Sequence, residues 1–143
     1  MACPRGEDWL AGEVESLRHD GVSVLVSALT ESEVAERQLT AEPEVATQAG
    51  LTYVSFPIPD RGVPTVAGAT DLVSCLGERL AAGRFIVVHC RAGIGRSSLI
   101  AAAVLVREGV SPTDAWQRIG TARGLPVPDT EEQRTWLATF DRS

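Results

Sequence analysis

The chain has no lysine: all 13 of its basic residues are arginine, and 19 acidic residues bring the net charge to −6. This acidic balance argues against nucleic acid as a partner, because phosphate backbones bind basic surfaces. No apolar run approaches the roughly 20 residues of a membrane span. The opening stretch MACPRGEDWL lacks the apolar core of a signal peptide. We therefore expect a cytoplasmic protein with no membrane span.

Cysteine is also scarce. Cys3, Cys75 and Cys90 lie far apart in sequence, which excludes a disulfide framework and a zinc-ligand spacing. No His and Asp cluster suggests another metal, so we expect neither a metal nor a cofactor. Cys3 and Cys75 are interpreted as a terminal thiol and a small buried side chain. Cys90 ends an apolar run and is the candidate nucleophile.

The length of 143 residues and a hydrophobic content of 44% suit one domain with its own core. No repeat or linker divides the chain, so residues 1–143 are predicted to form this domain. Three β-branched runs alternate with amphipathic helical patterns, which predicts an α/β fold. We expect a mostly parallel sheet of about four strands with helices on both faces. The runs are GVSVLVSAL, LTYVSF and RFIVVH, and the third is predicted to be buried on both faces.

Helical patterns carry all three tryptophans, Trp9, Trp116 and Trp136, which are therefore predicted to pack in the core. The last helix, DTEEQRTWLATF, is predicted to begin with Asp129 as its cap. Ligands of parallel α/β folds bind beyond the carboxyl ends of the strands. Three loops leave those ends, at residues 27–30, 57–64 and 90–96, and we expect the last two to carry the chemistry.

The loop from Cys90 to Arg96 combines features of an oxyanion site. Gly93 and Gly95 permit positive φ and a close approach to a ligand. The helix that follows contributes free N–H groups and the positive end of its dipole, so the concavity suits a tetrahedral oxyanion. Arg96 adds a two-pronged grip, and we expect the helix N-terminus and this guanidinium together to lower the pKa of Cys90 from ~8.5 into the range of roughly 3.5–7.5. The alternative is a buried cysteine before an ordinary turn.

The segment HCRAGIGRS, from His89 to Ser97, resembles the His-Cys-x5-Arg-Ser/Thr loop of cysteine-dependent protein tyrosine phosphatases, including the dual-specificity branch. The resemblance implies that Cys90 is the nucleophile and that Arg96 binds the phosphate and the transition state. It also implies that Ser97 helps the thiolate to leave and that His89 tunes the thiolate and supports the loop. The phosphate-binding positions implied within the loop are Arg91, Ala92, Gly93, Ile94 and Gly95.

Asp60, in the stretch FPIPDRGVP, matches the position of the family's general acid, although the Trp-Pro-Asp motif of classical members is missing. The alternative is ordinary turn chemistry at Asp-Arg-Gly. The stretch VPDTEEQRTW resembles the family's glutamine-bearing loop imperfectly, and Gln133 is a candidate supporting residue. The alternative interpretation is that Gln133 lies on the surface or behind the site. Arginines 61, 91 and 123 are expected to line the cleft.

The resemblance implies a phosphomonoester hydrolase that forms a phosphocysteine intermediate. The domain is short and lacks a Tyr-bearing recognition loop, so we expect the shallower cleft of the dual-specificity branch. Its substrates would be phosphotyrosine proteins and also phosphoserine or phosphothreonine proteins, and we expect a monomer. The second enzyme hypothesis is a phosphoinositide or other small phosphate ester, for which only Arg91 adds charge within the loop. The non-enzyme hypothesis is a phosphate-binding pseudophosphatase.

Overall fold

The computed structural model describes all 143 residues and contains one parallel three-stranded sheet. Its strands are β1 (Val24–Ser27), β2 (Thr52–Ser55) and β3 (Ile86–His89), in the order β2–β1–β3. The α/β prediction is confirmed, with three strands in place of about four. Beyond β3 the sheet is extended only by an isolated bridge between Ala2 and Cys90.

Strand β1 is the centre of the sheet and all four of its residues are buried. β3 lies at an edge of the sheet, but both of its faces are covered as predicted, because Ile86 and Val88 pack against one core and Val87 packs against the other. Phe85, just before β3, is 50% exposed, and the first three residues of the strand are half-buried. A continuous apolar run did not distinguish the central strand from this edge strand, because both runs are apolar.

Seven α-helices surround the sheet. They are α1 (Leu10–His19), α2 (Glu31–Glu36), α3 (Glu42–Gln48), α4 (Val66–Ala81), α5 (Arg96–Arg107), α6 (Pro112–Arg123) and α7 (Glu131–Asp141). Side chains alternate along a strand, so Val24 and Val26 of β1 pack with α4–α7, whereas Leu25 packs with α1 and α3. Helices therefore cover both faces, as predicted. None of these helices combines the length and apolar character that crossing a membrane requires.

Two of the three tryptophans occupy the predicted core. Trp116 and Trp136 are buried, and Trp136 stacks on Phe140 with ring centroids 5.0 Å apart. Trp9 is 60% exposed, so its predicted burial is wrong. The reason is that a 3-10 turn, Glu7–Trp9, precedes α1 and places Trp9 outside the buried stripe of that helix.

The carboxyl ends of the three strands lie side by side, since Ser27 is in register with both Ser55 and His89. The loops that leave these ends consequently meet at one edge of the sheet. The loop after β3 ends where α5 begins, at Arg96, so Cys90 and Arg96 bracket a strand-to-helix turn. This edge holds the candidate site.

Candidate active site

A pocket of about 200 Å³ opens at the carboxyl edge of the sheet. Its wall combines the loop after β3, the loop after β2 and the beginning of α7. The lining residues are Asp60, Arg61, Cys90, Arg91, Ala92, Ile94, Gly95, Arg96, Asp129 and Gln133. The structure thus brings together residues that lie far apart in the chain, from Asp60 in the loop after β2 to Gln133 in α7.

Cys90 is buried, with its Sγ atom 3.3 Å from the hydroxyl oxygen of Ser97. Burial by itself raises the pKa of Cys90, because an apolar environment disfavours the thiolate. Hydrogen bonds from the Ser97 hydroxyl and from the amides of Ser97 and Gly93 oppose this effect, as does the charge of Arg96. Their combined influence is larger, so the pKa of Cys90 lies below its ordinary value. The site therefore favours the reactive thiolate.

Two loop positions require glycine for different reasons. Gly93 has φ +74°, and a Cβ there would lie 2.4 Å from the carbonyl carbon of Met1. At Gly95 a Cβ would lie 2.8 Å from the Cβ of Asp129 in the turn before α7. A side chain at either position would push the loop away from the segment that packs behind or beside it.

Arg96 is buried at the pocket and is held by Glu33. Its Nη1 and Nη2 atoms donate to the two carboxylate oxygens of Glu33 at 2.6 and 2.8 Å, and Nη1 also donates to the carbonyl of Ile58 at 2.9 Å. The hydrogen bonds from Arg96 are the main reason that the pKa of Glu33 is lowered to about 2. This two-pronged pair fixes the orientation of the guanidinium before any ligand arrives.

Glu33 is a site residue that the sequence analysis missed. It also completes the capping box of α2, because its carboxylate accepts from the amide of the N-cap residue Thr30 while the Thr30 hydroxyl accepts from the amide of Glu33. The spacing Thr-x-x-Glu signals this capping box in the sequence. Nothing in the spacing signals that the same carboxylate meets Arg96, 63 residues further along. The loop after β1 and the helix that follows it therefore contribute to the site as well.

Asp60 lies at the pocket with a side chain that is 53% exposed. Its Oδ1 accepts a hydrogen bond from Nη2 of Arg96 at 3.2 Å. Two residues further along, the carbonyl of Gly62 accepts from Nε2 of Gln133 at 3.1 Å. The loop that carries Asp60 is therefore attached both to Arg96, at the end of the loop after β3, and to α7.

Gln133 is fully buried at this junction and is not a surface residue. Its Oε1 accepts from the amides of Asp129 and Thr130, and the Thr130 hydroxyl accepts from the amide of Gln133. Thr130 is consequently the cap of α7, and the prediction of Asp129 as cap is wrong. The aspartate instead turns toward the pocket and pairs with Arg61 at 3.3 Å.

The three arginines expected in the cleft separate into two groups. Arg61 and Arg91 line the pocket, and Arg91 donates to a carboxylate oxygen of Glu36 at 3.0 Å. Arg123 does not line the pocket. Its Nε donates to the carbonyl of Gly93 at 3.0 Å, and Gly93 does not line the pocket either.

His89 is fully buried at the end of β3, where the loop begins. Its Nε2 is 2.6 Å from a carboxylate oxygen of Glu42, whose second oxygen accepts from the hydroxyl of Tyr53 at 3.2 Å. Burial, and then the charge of Glu42, raise the pKa of Tyr53 to about 12. Sequence reasoning missed Glu42 because a glutamate in the first turn of a short helix is typical of an exposed position.

A family described as "Tc-R-P: Polymorphic toxin system, DSP-PTPase phosphatase" matches residues 1–110, which include the loop from Cys90 to Arg96. The chain belongs to this family. The predicted resemblance to cysteine-dependent phosphatases of the dual-specificity type is thereby confirmed.

The relatives of this DSP-PTPase chain include proteins named as cyclin-dependent kinase inhibitor 3 and as tyrosine phosphatases. Cyclin-dependent kinase inhibitor 3 of Rattus norvegicus is 27% identical over 130 residues, covering 90% of this chain and 61% of the relative. Putative tyrosine-protein phosphatase 1 of Orgyia pseudotsugata multicapsid polyhedrosis virus is 34% identical over 92 residues, covering 62% of this chain and 42% of the relative. The chain thus spans about three-fifths of the length of the cyclin-dependent kinase inhibitor 3 sequences that it matches.

Solved structures share the fold of this family member across nearly the whole chain. A kinase-associated phosphatase with its catalytic cysteine replaced by serine superposes with a TM-score of 0.88 at 23% identity, covering 99% of this chain and 83% of that one. PTPMT1 in complex with PI(5)P superposes with a TM-score of 0.79 at 24% identity, covering 93% and 85%. At these identities the likeness establishes the fold.

Proposed function

We propose that this chain hydrolyses phosphomonoesters through a phosphocysteine intermediate. One observation carries the proposal: the sulfur of Cys90, with its lowered pKa, lies in a pocket whose Arg96 is already held in place by Glu33. A buried guanidinium and inward-facing amides suit a dianionic phosphate group. The sulfur is a nucleophile in the same pocket.

In the first step, the Cys90 thiolate attacks phosphorus, forming the S–P bond as the ester P–O bond breaks. The leaving oxygen takes a proton from Asp60, whose carboxyl group lies beside Arg96 at the pocket. Arg96 and the loop amides stabilise the charge on the phosphoryl oxygens. The products of this step are the free alcohol or phenol and the phosphocysteine.

In the second step, water attacks phosphorus and gives its proton to the Asp60 carboxylate, so that the residue returns to its acid form. The S–P bond breaks and inorganic phosphate leaves. The departing thiolate is stabilised by the hydroxyl of Ser97, 3.3 Å from Sγ, and by the amides of Ser97 and Gly93. This second step needs no metal.

As substrates we propose phosphotyrosine proteins first, with phosphoserine and phosphothreonine proteins also accepted. The small pocket, whose walls contain no aromatic side chain, does not select strongly for an aryl ring. All of the site residues come from one chain, so we propose that a monomer is active. We also propose a cytoplasmic location, because all three cysteines are free and the cytosol keeps thiols reduced.

A phosphoinositide or small phosphate ester is the second candidate. An additional phosphate would need further positive charge at the pocket, which Arg61 and Arg91 could supply. Both of these arginines are paired with carboxylates, Arg61 with Asp129 and Arg91 with Glu36. Because an additional phosphate would first have to displace those carboxylates, we place this candidate second.

The test is the release of phosphate from an aryl phosphate in the presence of a metal chelator. We expect wild-type turnover to persist in chelator and Cys90→Ser to abolish it while substrate binding remains. Cys75→Ser, at a half-buried cysteine on α4, is the matched control and should keep full activity. Phosphate binding by the wild type without any turnover would favour the pseudophosphatase hypothesis.

The role of Asp60 has its own test. Asp60→Asn should slow substrates with poor leaving groups more than those with good ones, because only the former need a proton in the first step. The measurement is kcat/KM across a series of aryl phosphates of graded leaving-group pKa. Equal slowing across the series would assign the general acid to another residue.

A further inference from the structure

The carbonyl group of Gly93 is held from behind the loop. Gly93 is buried and is absent from the pocket wall, whereas its neighbours Ala92 and Ile94 are part of that wall. Nε of Arg123, in the last turn of α6, donates to the Gly93 carbonyl oxygen at 3.0 Å. This is a charge-assisted hydrogen bond, which is stronger than a neutral one.

Holding this oxygen also sets the direction of a loop amide. The peptide bond between Gly93 and Ile94 is trans, since the one cis bond in the chain joins Val127 to Pro128. In a planar trans peptide the C=O and N–H groups point in opposite directions. A carbonyl fixed away from the pocket therefore fixes the N–H of Ile94 toward it.

A second contact behind the loop follows the same rule. The amide of Cys3 donates to the carbonyl of Arg91 at 3.2 Å, which directs the N–H of Ala92 the opposite way. That donor belongs to the main chain, so only a proline at position 3 would remove it. Arg123, in contrast, donates through its side chain, so its contribution can be measured by substituting that side chain.

We infer that Arg123 is a positioning residue for the oxyanion pocket, an inference that rests on the proposed phosphatase function. By fixing the Gly93 carbonyl, it keeps the Ile94 amide directed at the phosphate. It also limits rotation of Gly93, whose own amide bonds the sulfur of Cys90. Arg123 acts through the loop backbone and does not touch the substrate.

The experiment compares Arg123→Met with Arg118→Met, which changes an exposed arginine on the same helix. Methionine keeps an apolar stem and removes the donor. We expect Arg123→Met to weaken the Kd for inorganic phosphate about tenfold, the effect of losing one charge-assisted hydrogen bond. The midpoint pH for alkylation of Cys90 by iodoacetate should rise, because the Gly93 amide would be less well aligned. Arg118→Met should change neither quantity.

Arg123→Lys retains a charged donor without the planar fork, so it should fall between wild type and Arg123→Met. If Arg123→Met or Arg123→Lys lowers Tm while the phosphate Kd and the alkylation midpoint match those of Arg118→Met, the positioning role is overturned. Both readouts are independent of turnover. A wild type that binds phosphate but never releases it from an ester would overturn the proposed function alone.

Discussion

Two buried glutamates support the two ends of the same loop, and they do so with different partners. Glu33 holds Arg96 at the start of α5, whereas Glu42 holds His89 at the end of β3. In each pair a carboxylate oxygen lies 2.6 Å from a side-chain nitrogen, Nη1 of Arg96 or Nε2 of His89. Neither was predicted from the sequence.

The difference lies in what each carboxylate fixes. Arg96 stays charged at every accessible pH, so Glu33 fixes a permanent cation that must grip a phosphate with two nitrogens. His89 is an imidazole, so Glu42 chooses which ring nitrogen carries a proton and how the ring is oriented. Glu33 therefore acts on ligand binding through Arg96, whereas Glu42 acts through the loop that holds Cys90. This comparison predicts a larger loss at Glu33 than at Glu42.

Glu33→Gln should have the largest effect. It removes the charge that faces a buried guanidinium, and breaking such a pair costs about 3 kcal/mol of unfolding free energy or more. Arg96 would also lose its fixed orientation, and we expect kcat/KM to fall about a hundredfold, since small misplacements of a binding group have effects of that size. Steady-state kinetics and urea unfolding measure the two effects.

Glu31→Gln is the matched control, because Glu31 is an exposed glutamate in the first turn of the same helix. It should leave kcat/KM unchanged. A Glu33→Gln variant as active as Glu31→Gln would mean that Arg96 orients itself without Glu33.

The same pair predicts how stability depends on pH. The pKa of Glu33 is lowered in the folded state from 4.5 to about 2, so its contribution is present above pH 4.5 and is lost as the pH falls toward 2. The difference in unfolding free energy between wild type and Glu33→Gln should therefore shrink over that interval. Urea unfolding of both proteins at several pH values tests this, and a constant difference would contradict it.

Glu42→Gln should have an intermediate effect. A glutamine still accepts a hydrogen bond from His89, but the charge-assisted part is lost, and we expect kcat/KM to fall about tenfold. Glu44→Gln, at an exposed glutamate two residues further along α3, is the control. If Glu42→Gln were to lose more activity than Glu33→Gln, the order proposed for the two ends of the loop would be reversed.

Glu33 and Glu42 also show which part of the site could not be predicted from the sequence. The strand-to-helix loop was predictable because Cys90, its two glycines and Arg96 are close in sequence and their chemistry depends on that spacing. Asp60 was predictable by resemblance and by its place after a strand. Glu33 and Glu42 lie 63 and 47 residues from their partners. Their contacts depend on how helices pack on the sheet, which no local pattern specifies.

The same limit explains why the strand order of the sheet and the buried position of Gln133 were not predicted from the sequence. The periodicity of the strands predicted their existence but not their order, and the order decides that β1 is buried while β3 is an edge. Gln133 fits a capping pattern with Thr130. Its second contact, to the carbonyl of Gly62, spans 71 residues and arises from tertiary packing.

Tyr53→Phe should have the smallest effect and tests whether the support from Glu42 extends beyond one contact. The substitution removes a 3.2 Å hydrogen bond to Glu42 and leaves the carboxylate facing His89. We expect unfolding free energy to fall by about 1 kcal/mol and kcat/KM by less than threefold, as for one modest hydrogen bond. Combining Tyr53→Phe with Glu42→Gln in a double-mutant cycle measures the coupling between the two residues, once for unfolding free energy and once for kcat/KM. Coupling in stability without coupling in kcat/KM would limit Tyr53 to holding Glu42 in the core, whereas coupling in both would make it part of the support for Cys90.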